Sequence, residues 1–149
     1  LEHIEYVICG RGAYEADLKK LAEELGVADH IHFLGYRNDI SEICNCADLF
    51  VFMSHQEGLP VALMEAMACG LPAVCSNIRG NTDLIEDGVT GLISNNTPEE
   101  LAEAINRMRN DTDFCDRLAS AALQKVKQFD LKNVEQVMRT IYLDLSRSI

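Results

Sequence analysis

Short apolar, β-branched runs alternate with stretches of helical apolar spacing along nearly the whole chain, and that alternation leaves few architectures open. Ile4–Cys9 (IEYVIC), Ile31–Leu34, Leu49–Met53 (LFVFM), Ala73–Ser76 and Gly91–Ser94 have the length and composition of strands. Tyr14, Leu18, Leu21 and Leu25 recur at helical spacing before Gly26, which suits a helix C-terminus. Asn38 is placed to cap a short helix through Cys46. Pro60 opens a helix that exits at Gly70, and Thr82–Glu86 forms a helical turn before Asp87-Gly88. Thr97-Pro98-Glu99-Glu100 reads as a capping box launching a helix with Leu101, Ala104, Ile105 and Met108 on its inner stripe. Two further helices follow, one with Phe114, Leu118, Ala121 and Ala122 inward. The last runs from Leu131 to Arg147 with Val134, Met138, Ile141 and Leu145 inward. Strands separated by helices pair in parallel through right-handed crossovers, so the pattern predicts an α/β fold with a doubly wound parallel sheet. Leu49–Met53, apolar throughout, is expected to be its most buried strand.

Length and charge narrow the function classes. The 149 residues suffice for one domain with a core. Thirteen Lys and Arg against 24 Asp and Glu give a net charge of −11, which offers no basic footprint for nucleic acid. No apolar run approaches the ~20 residues that cross a bilayer, and the first residues do not resemble a signal peptide. The expected location is cytoplasmic. The six cysteines include no CxxC pair, and Cys44 and Cys46 stand two apart on an expected helix, where they do not share a face. Each is read as a small buried hydrophobe in a reducing compartment, with neither a metal site nor a disulfide framework. His3, His30 and His32 have no partner spacing, and His55 is read as a loop histidine.

Two strand-to-helix turns could carry chemistry. Gly10-Arg11-Gly12 would let a backbone approach a phosphate, but the dinucleotide fingerprint needs a third glycine where this chain has Glu15. On these residues alone a plain tight turn is the leading reading. Ser54-His55-Gln56-Glu57-Gly58-Leu59-Pro60 lies where open α/β sheets place ligands, beyond the carboxyl end of a strand. Gly58 permits close backbone approach, and the N–H groups of Leu59, Val61 and Ala62 are candidate anion donors, Pro60 having none. Glu57 would compete with a phosphate there and makes more sense accepting hydrogen bonds from hydroxyls. Glu65, eight positions on in an apolar helix, is either a solvated side chain or such an acceptor.

The run Glu57-Gly58-Leu59-Pro60-Val61-Ala62-Leu63-Met64-Glu65, continued to Gly70-Leu71-Pro72, resembles the Glu, seven residues, Glu signature of retaining glycosyltransferase family 4. Val7–Gly12, His32–Tyr36, Asp48–Val51, Asp83–Gly88 and Thr90–Ile93 agree with that family in order, so the resemblance covers residues 4 to 129. It implies a GT-B fold, of which the chain would be a partial C-terminal, sugar-nucleotide-binding domain: a Rossmann-like core over 4–129 and a terminal helix over 131–147. On the matching positions, Glu57, Gly58 and Leu59 would bind the donor sugar. Glu65, Val61, Gly10, Gly12, Tyr36 and Arg37 would bind the nucleotide, Glu65 through the ribose hydroxyls. A carboxylate suits a vicinal diol because each oxygen can accept one hydroxyl proton. No catalytic nucleophile and no metal ligand is assigned, and no cofactor is implied beyond the nucleotide-diphosphate sugar itself.

Two departures from the family pattern matter. Asn81-Thr82-Asp83 stands where the family usually has Glu, and the Arg79-Gly80-Asn81 form resembles the bacterial surface-polysaccharide branch. The family's first strand-helix unit, which carries an Arg and a Lys for the donor diphosphate, has no counterpart here. In the sheet order 3-2-1-4-5-6 that strand is central, so the sheet is expected to be re-paired between neighbours or completed by self-association. The implied activity is retaining transfer from a nucleotide-diphosphate sugar to a saccharide or lipid-linked acceptor at the inner face of a membrane. The acceptor would be bound by an absent N-terminal domain, and the fragment alone is expected to be inactive. A non-catalytic nucleotide-sugar-binding module and a sugar-nucleotide epimerase-like domain are the competing readings.

Overall fold

A computed structural model describes residues 4–147 of the chain; His3 lies outside them. The strands are β1 (Tyr6–Cys9), β2 (Ile31–Gly35), β3 (Phe50–Phe52), β4 (Ala73–Ser76) and β5 (Leu92–Ser94). The helices are α1 (Glu15–Glu24), α2 (Ile40–Asn45), α3 (Val61–Ala68), α4 (Arg79–Thr82), α5 (Pro98–Asn110), α6 (Thr112–Val126) and α7 (Leu131–Arg147). By their contacts the residues group into two compact units, with the boundary between Ile40 and Ser41.

In the N-terminal unit β1 pairs in parallel with β2, Tyr6 opposite Ile31 and Cys9 opposite Gly35, with a register shift between Ile8 and Cys9. α1 connects them and ends before Gly26, whose φ of 68° is the left-handed conformation a glycine terminator supplies. The apolar stripe of α1 is not buried: Tyr14, Leu18, Leu21 and Leu25 are all exposed, and only Ala22 is covered. The two histidines that lack partner spacing in the sequence do have a partner. Glu5 takes His30 Nδ1 on one carboxylate oxygen at 3.1 Å and His32 Nε2 on the other at 2.6 Å. Those hydrogen bonds hold the Glu5 carboxyl below its ordinary range.

In the C-terminal unit three parallel strands run in the order β3-β4-β5. β4, with a strand on either side, is the fully buried one, whereas β3 has one strand neighbour and is only half-buried. This corrects the expectation for Leu49–Met53: apolar composition reports which residues tolerate burial, and position in the sheet decides which receive it. β4 alternates its side chains between two clusters. Ala73 and Cys75 pack with Leu63 and Met67 of α3, Leu84, Ile85, and Ala122 and Val126 of α6. Val74 packs with Leu92, Met108 of α5, and Phe114 and Leu118 of α6.

Local signals account for most helix ends. The Thr97 hydroxyl accepts the Glu100 N–H at 3.3 Å, while the Glu100 carboxylate accepts from Asn95 N at 3.0 Å rather than from Thr97, so the box closes two residues wider than its pattern implies. Asp111 caps α6 by accepting the Phe114 N–H at 2.9 Å. α2 begins at Ile40, directly after Asp39 and not Asn38. The turn expected over Thr82–Glu86 forms earlier, as α4. α7 is helical over Leu131–Arg147, but Val134, Met138, Ile141 and Leu145 are exposed instead of inward, because its apolar periodicity meets no covering element among the described residues. Cys44 and Cys75 are buried as expected of small hydrophobes, while Cys9 and Cys46 are exposed. No helix among the described residues is long and apolar enough to cross a membrane.

Among the described residues the strands form two separate hydrogen-bonded sheets, ordered β1-β2 and β3-β4-β5.

Candidate functional site

The chain leaves β3 at Phe52 and enters α3 at Val61, and the intervening loop carries Glu57, Gly58 and Leu59 beyond the carboxyl end of the sheet. Pro60 is the residue before the helix, with φ −75° and ψ 110°, so its missing N–H costs α3 nothing. Its carbonyl accepts the first helical bond, from Met64 N at 3.2 Å. The N–H groups of the first turn have no intrahelical partner, which leaves the positive end of α3 at the loop.

α3 is apolar on both sides, yet only one side is buried. Leu63, Ala66 and Met67 are fully enclosed, whereas Val61, Ala62 and Glu65 are exposed. Val61 and Glu65 are one turn apart and so share a face, with Cβ atoms about 6 Å apart. Glu57 is half-buried in the loop, and Gly58 and Leu59 are exposed. The two carboxylates thus belong to one surface segment, one on the loop and one on the helix it feeds.

Residues of the following turn define that loop from beneath. The Ser76 hydroxyl, at the end of β4, donates to the Ser54 carbonyl at 2.6 Å. The Asn81 amide donates to the Ser76 carbonyl at 3.0 Å and to the Ser76 hydroxyl at 2.9 Å. Gly80 lies so close to the loop that a Cβ there would sit 2.7 Å from the Gly58 carbonyl oxygen and 2.8 Å from that of Glu57. Ser76, Gly80 and Asn81 are not among the site residues expected from sequence. For Gly80 and Asn81 the sequence offers only the resemblance of Arg79-Gly80-Asn81 to the surface-polysaccharide branch, and nothing in the spacing says that residue 80 approaches residue 58.

The remaining candidates lie in the N-terminal unit, at the carboxyl ends of β1 and β2. Gly10, with φ 124°, donates its N–H to the Gly35 carbonyl at 2.7 Å, which joins the Gly10-Arg11-Gly12 turn to the Gly35-Tyr36-Arg37 turn. A side chain would be strained at Gly10, whereas Gly12 has open space around it. Tyr36 is exposed, 73% of its surface reaching solvent. The Arg37 guanidinium is occupied by Asp39, with Nε to Oδ1 at 2.8 Å and a second bond from Nη2 to Oδ2. That pairing raises the Arg37 pKa and lowers that of Asp39. A separate cavity of about 430 Å3 lined by Lys19, Glu23, Ile31, Phe33 and others includes none of the candidate residues.

His55 stands beside the loop residue Glu57 but turns its Nδ1 to Asn96 Nδ2 at 3.3 Å. Among the described residues no group of three or more His, Cys, Asp or Glu could hold a metal ion.

Comparison with known proteins gives the family and the fold. Residues 1–125 match the family model for glycosyl transferases group 1. The chain is 31% identical over 142 residues to the Escherichia coli UDP-Gal:alpha-D-GlcNAc-diphosphoundecaprenol alpha-1,3-galactosyltransferase, covering 94% of this chain and 37% of that protein. It is 34% identical over 116 residues to the Campylobacter jejuni N,N'-diacetylbacillosaminyl-diphospho-undecaprenol alpha-1,3-N-acetylgalactosaminyltransferase, covering 77% of this chain and 30% of the relative. The fold superposes on Anabaena Alr3699/HepE, solved in complex with UDP-glucose, with a TM-score of 0.88 and 29% identity over 95% of this chain and 42% of that one. The chain therefore spans well under half the length of these relatives, and its fold matches the C-terminal half of the GT-B architecture.

Proposed function

The chain belongs to the glycosyl transferases group 1 family, and on that premise we propose that it is the donor-binding part of a retaining, family-4-type glycosyltransferase. The observation that carries this reading is the Ser54–Pro60 loop. It holds the half-buried Glu57 and the exposed Gly58 at the positive end of α3, with Glu65 on the exposed face of the same helix. An acceptor-only carboxylate matches hydroxyls, and a helix N-terminus matches phosphate. Glu57 accepts hydrogen bonds from the donor sugar, with Gly58 and Leu59 beside it. Glu65 holds the ribose diol, and the α3 N–H groups around Val61 face the diphosphate. Gly10, Gly12, Tyr36 and Arg37 frame the nucleotide, Arg37 through its backbone.

The donor is a nucleotide-diphosphate sugar, and the UDP-glucose complex of the Anabaena relative supports a uridine base. The names of the Escherichia coli and Campylobacter jejuni relatives, both of which carry a diphospho-undecaprenol-linked sugar, support a lipid-linked saccharide acceptor. Work at the cytoplasmic face of a membrane belongs to the same reading. Leaving-group charge is offset by oriented N–H donors and by cations from outside this chain, with no metal required. No nucleophile is assigned, and the 149 residues alone catalyse no transfer.

Isothermal titration of nucleotide sugars into the complete enzyme, with Glu65→Ala beside it, tests the reading. Hydrogen bonds to a charged group are worth about 1.5–3 kcal/mol, so the substitution is expected to weaken donor binding roughly tenfold or more. Unchanged donor affinity in Glu65→Ala would remove the ribose assignment. Sugar transfer by the isolated chain would refute its inactivity.

A further inference from the structure

The residues beneath the loop do more than fill the core. Gly80 is helical, so no unusual backbone angle demands a glycine there; what demands it is proximity. A Cβ would meet two backbone oxygens, Gly58 O at 2.7 Å and Glu57 O at 2.8 Å, and the Glu57 Cβ at 2.9 Å. None of these is the yielding tip of a flexible side chain, so any side chain at residue 80 displaces the loop itself. The second restraint is chemical. The Asn81 amide holds the Ser76 hydroxyl and carbonyl, and that hydroxyl holds the Ser54 carbonyl at the loop's start. Ser76 and Asn81 are both completely buried. Asn81 Oδ1 has no hydrogen-bond partner among the described residues, an unfavourable state for a buried acceptor. Local rules broken in this way are expected where function is served.

We propose that Gly80 and Asn81 are positioning residues that clamp the Glu57–Gly58 loop in its sugar-accepting geometry, and so set the preference for a nucleotide sugar over the free nucleotide. This rests on the donor-binding reading above. The clamp touches the loop at its start and at Glu57-Gly58. Glu65 is held independently, because α3 is anchored by the fully buried Leu63, Ala66 and Met67. A defect in the clamp therefore weakens the sugar contacts and spares the nucleotide contacts. Preorganising an exposed loop removes an ordering cost that would otherwise be met on binding.

The test uses the 149-residue chain for dynamics and the complete enzyme for affinity. In the wild-type chain, 15N relaxation is expected to give Glu57 and Gly58 amide order parameters near about 0.85, as in helices; values below about 0.6 would overturn the clamp without any variant. In Gly80→Ala and Asn81→Ala the Glu57, Gly58 and Leu59 amide resonances are expected to move while those of Leu63, Ala66 and Met67 stay. Affinity for the best of UDP-glucose, UDP-galactose and UDP-N-acetylglucosamine should fall at least tenfold, with UDP affinity within twofold. Loss of both affinities in equal proportion, or retention of both, would overturn the proposal. If the wild-type enzyme binds none of these probes, the donor-binding reading fails, and the relaxation data still decide whether the loop is clamped.

Discussion

The hydroxyl of Ser76 donates a 2.6 Å hydrogen bond to the carbonyl of Ser54, tying the end of one strand to the start of the loop that follows its neighbour. Residues 22 positions apart are joined because β3 and β4 run in parallel, with Phe52 opposite Cys75. Ser76→Ala would strip the Ser54 carbonyl of this donor and leave the Asn81 amide with the Ser76 carbonyl alone. The expected loss is about 1–2 kcal/mol of stability, read from urea unfolding as a lower midpoint at unchanged slope. A midpoint equal to wild type would mean that water replaces the hydroxyl.

Two glycines provide a matched comparison of space. A Cβ at Gly91 would lie 2.9 Å from the Ala73 carbonyl oxygen and 3.0 Å from Ile85 Cγ2, both part of a buried core. A Cβ at Gly12 meets nothing within 4 Å. Gly91→Ala is expected to cost about 1–3 kcal/mol through overpacking, and Gly12→Ala to change stability by less than about 0.5 kcal/mol. Thermal unfolding of the two variants side by side checks the contrast, which equal melting temperatures would contradict.

Cysteine chemistry separates by burial. Cys75 is completely enclosed in β4, and burial, with a smaller contribution from Asp87, pushes its thiol up to about 12. Cys9 and Cys46 are exposed. A thiol reagent near pH 8 should label Cys9 and Cys46 in the native chain and reach Cys75 only after unfolding. The folded pKa exceeds the unfolded one, so below the unfolded value, near 9, the group has no effect on stability. Above it the unfolded state releases a proton that the native state keeps. Stability then falls by up to about 1.4 kcal/mol per pH unit until the native thiol ionises. Denaturation midpoints between pH 8 and 11 should decline in wild type and decline less in Cys75→Ala.

Parts of the candidate site are legible in the order of the residues. Glu65 stands out because a helix so apolar has little reason to carry a carboxylate, and Glu57 and Gly58 because their spacing to it resembles a family signature. Gly10 is legible as a turn glycine, and its φ of 124° bears out that need. The Glu5 carboxylate shared by His30 and His32 is not legible, since its partners stand 25 and 27 residues away. Neither is the approach of Gly80 to Gly58, for a glycine kept for space and one kept for backbone angle look identical in a sequence.

The alternation of strand and helix, the parallel pairing and most helix ends follow from the order of the residues alone. They depend on periodicity and on side chains that cap or terminate within a few positions. Which strand is buried, which apolar stripes are covered and what the loop rests on are decided only by tertiary structure. β4, not the more apolar β3, is enclosed, because burial is conferred by neighbours on both sides. The stripe on α7 satisfies helical spacing as well as that of α6, yet only α6 has a sheet and helices to cover it. Periodicity is a local property of the chain; contact between residues such as 58 and 80 is set by the whole fold.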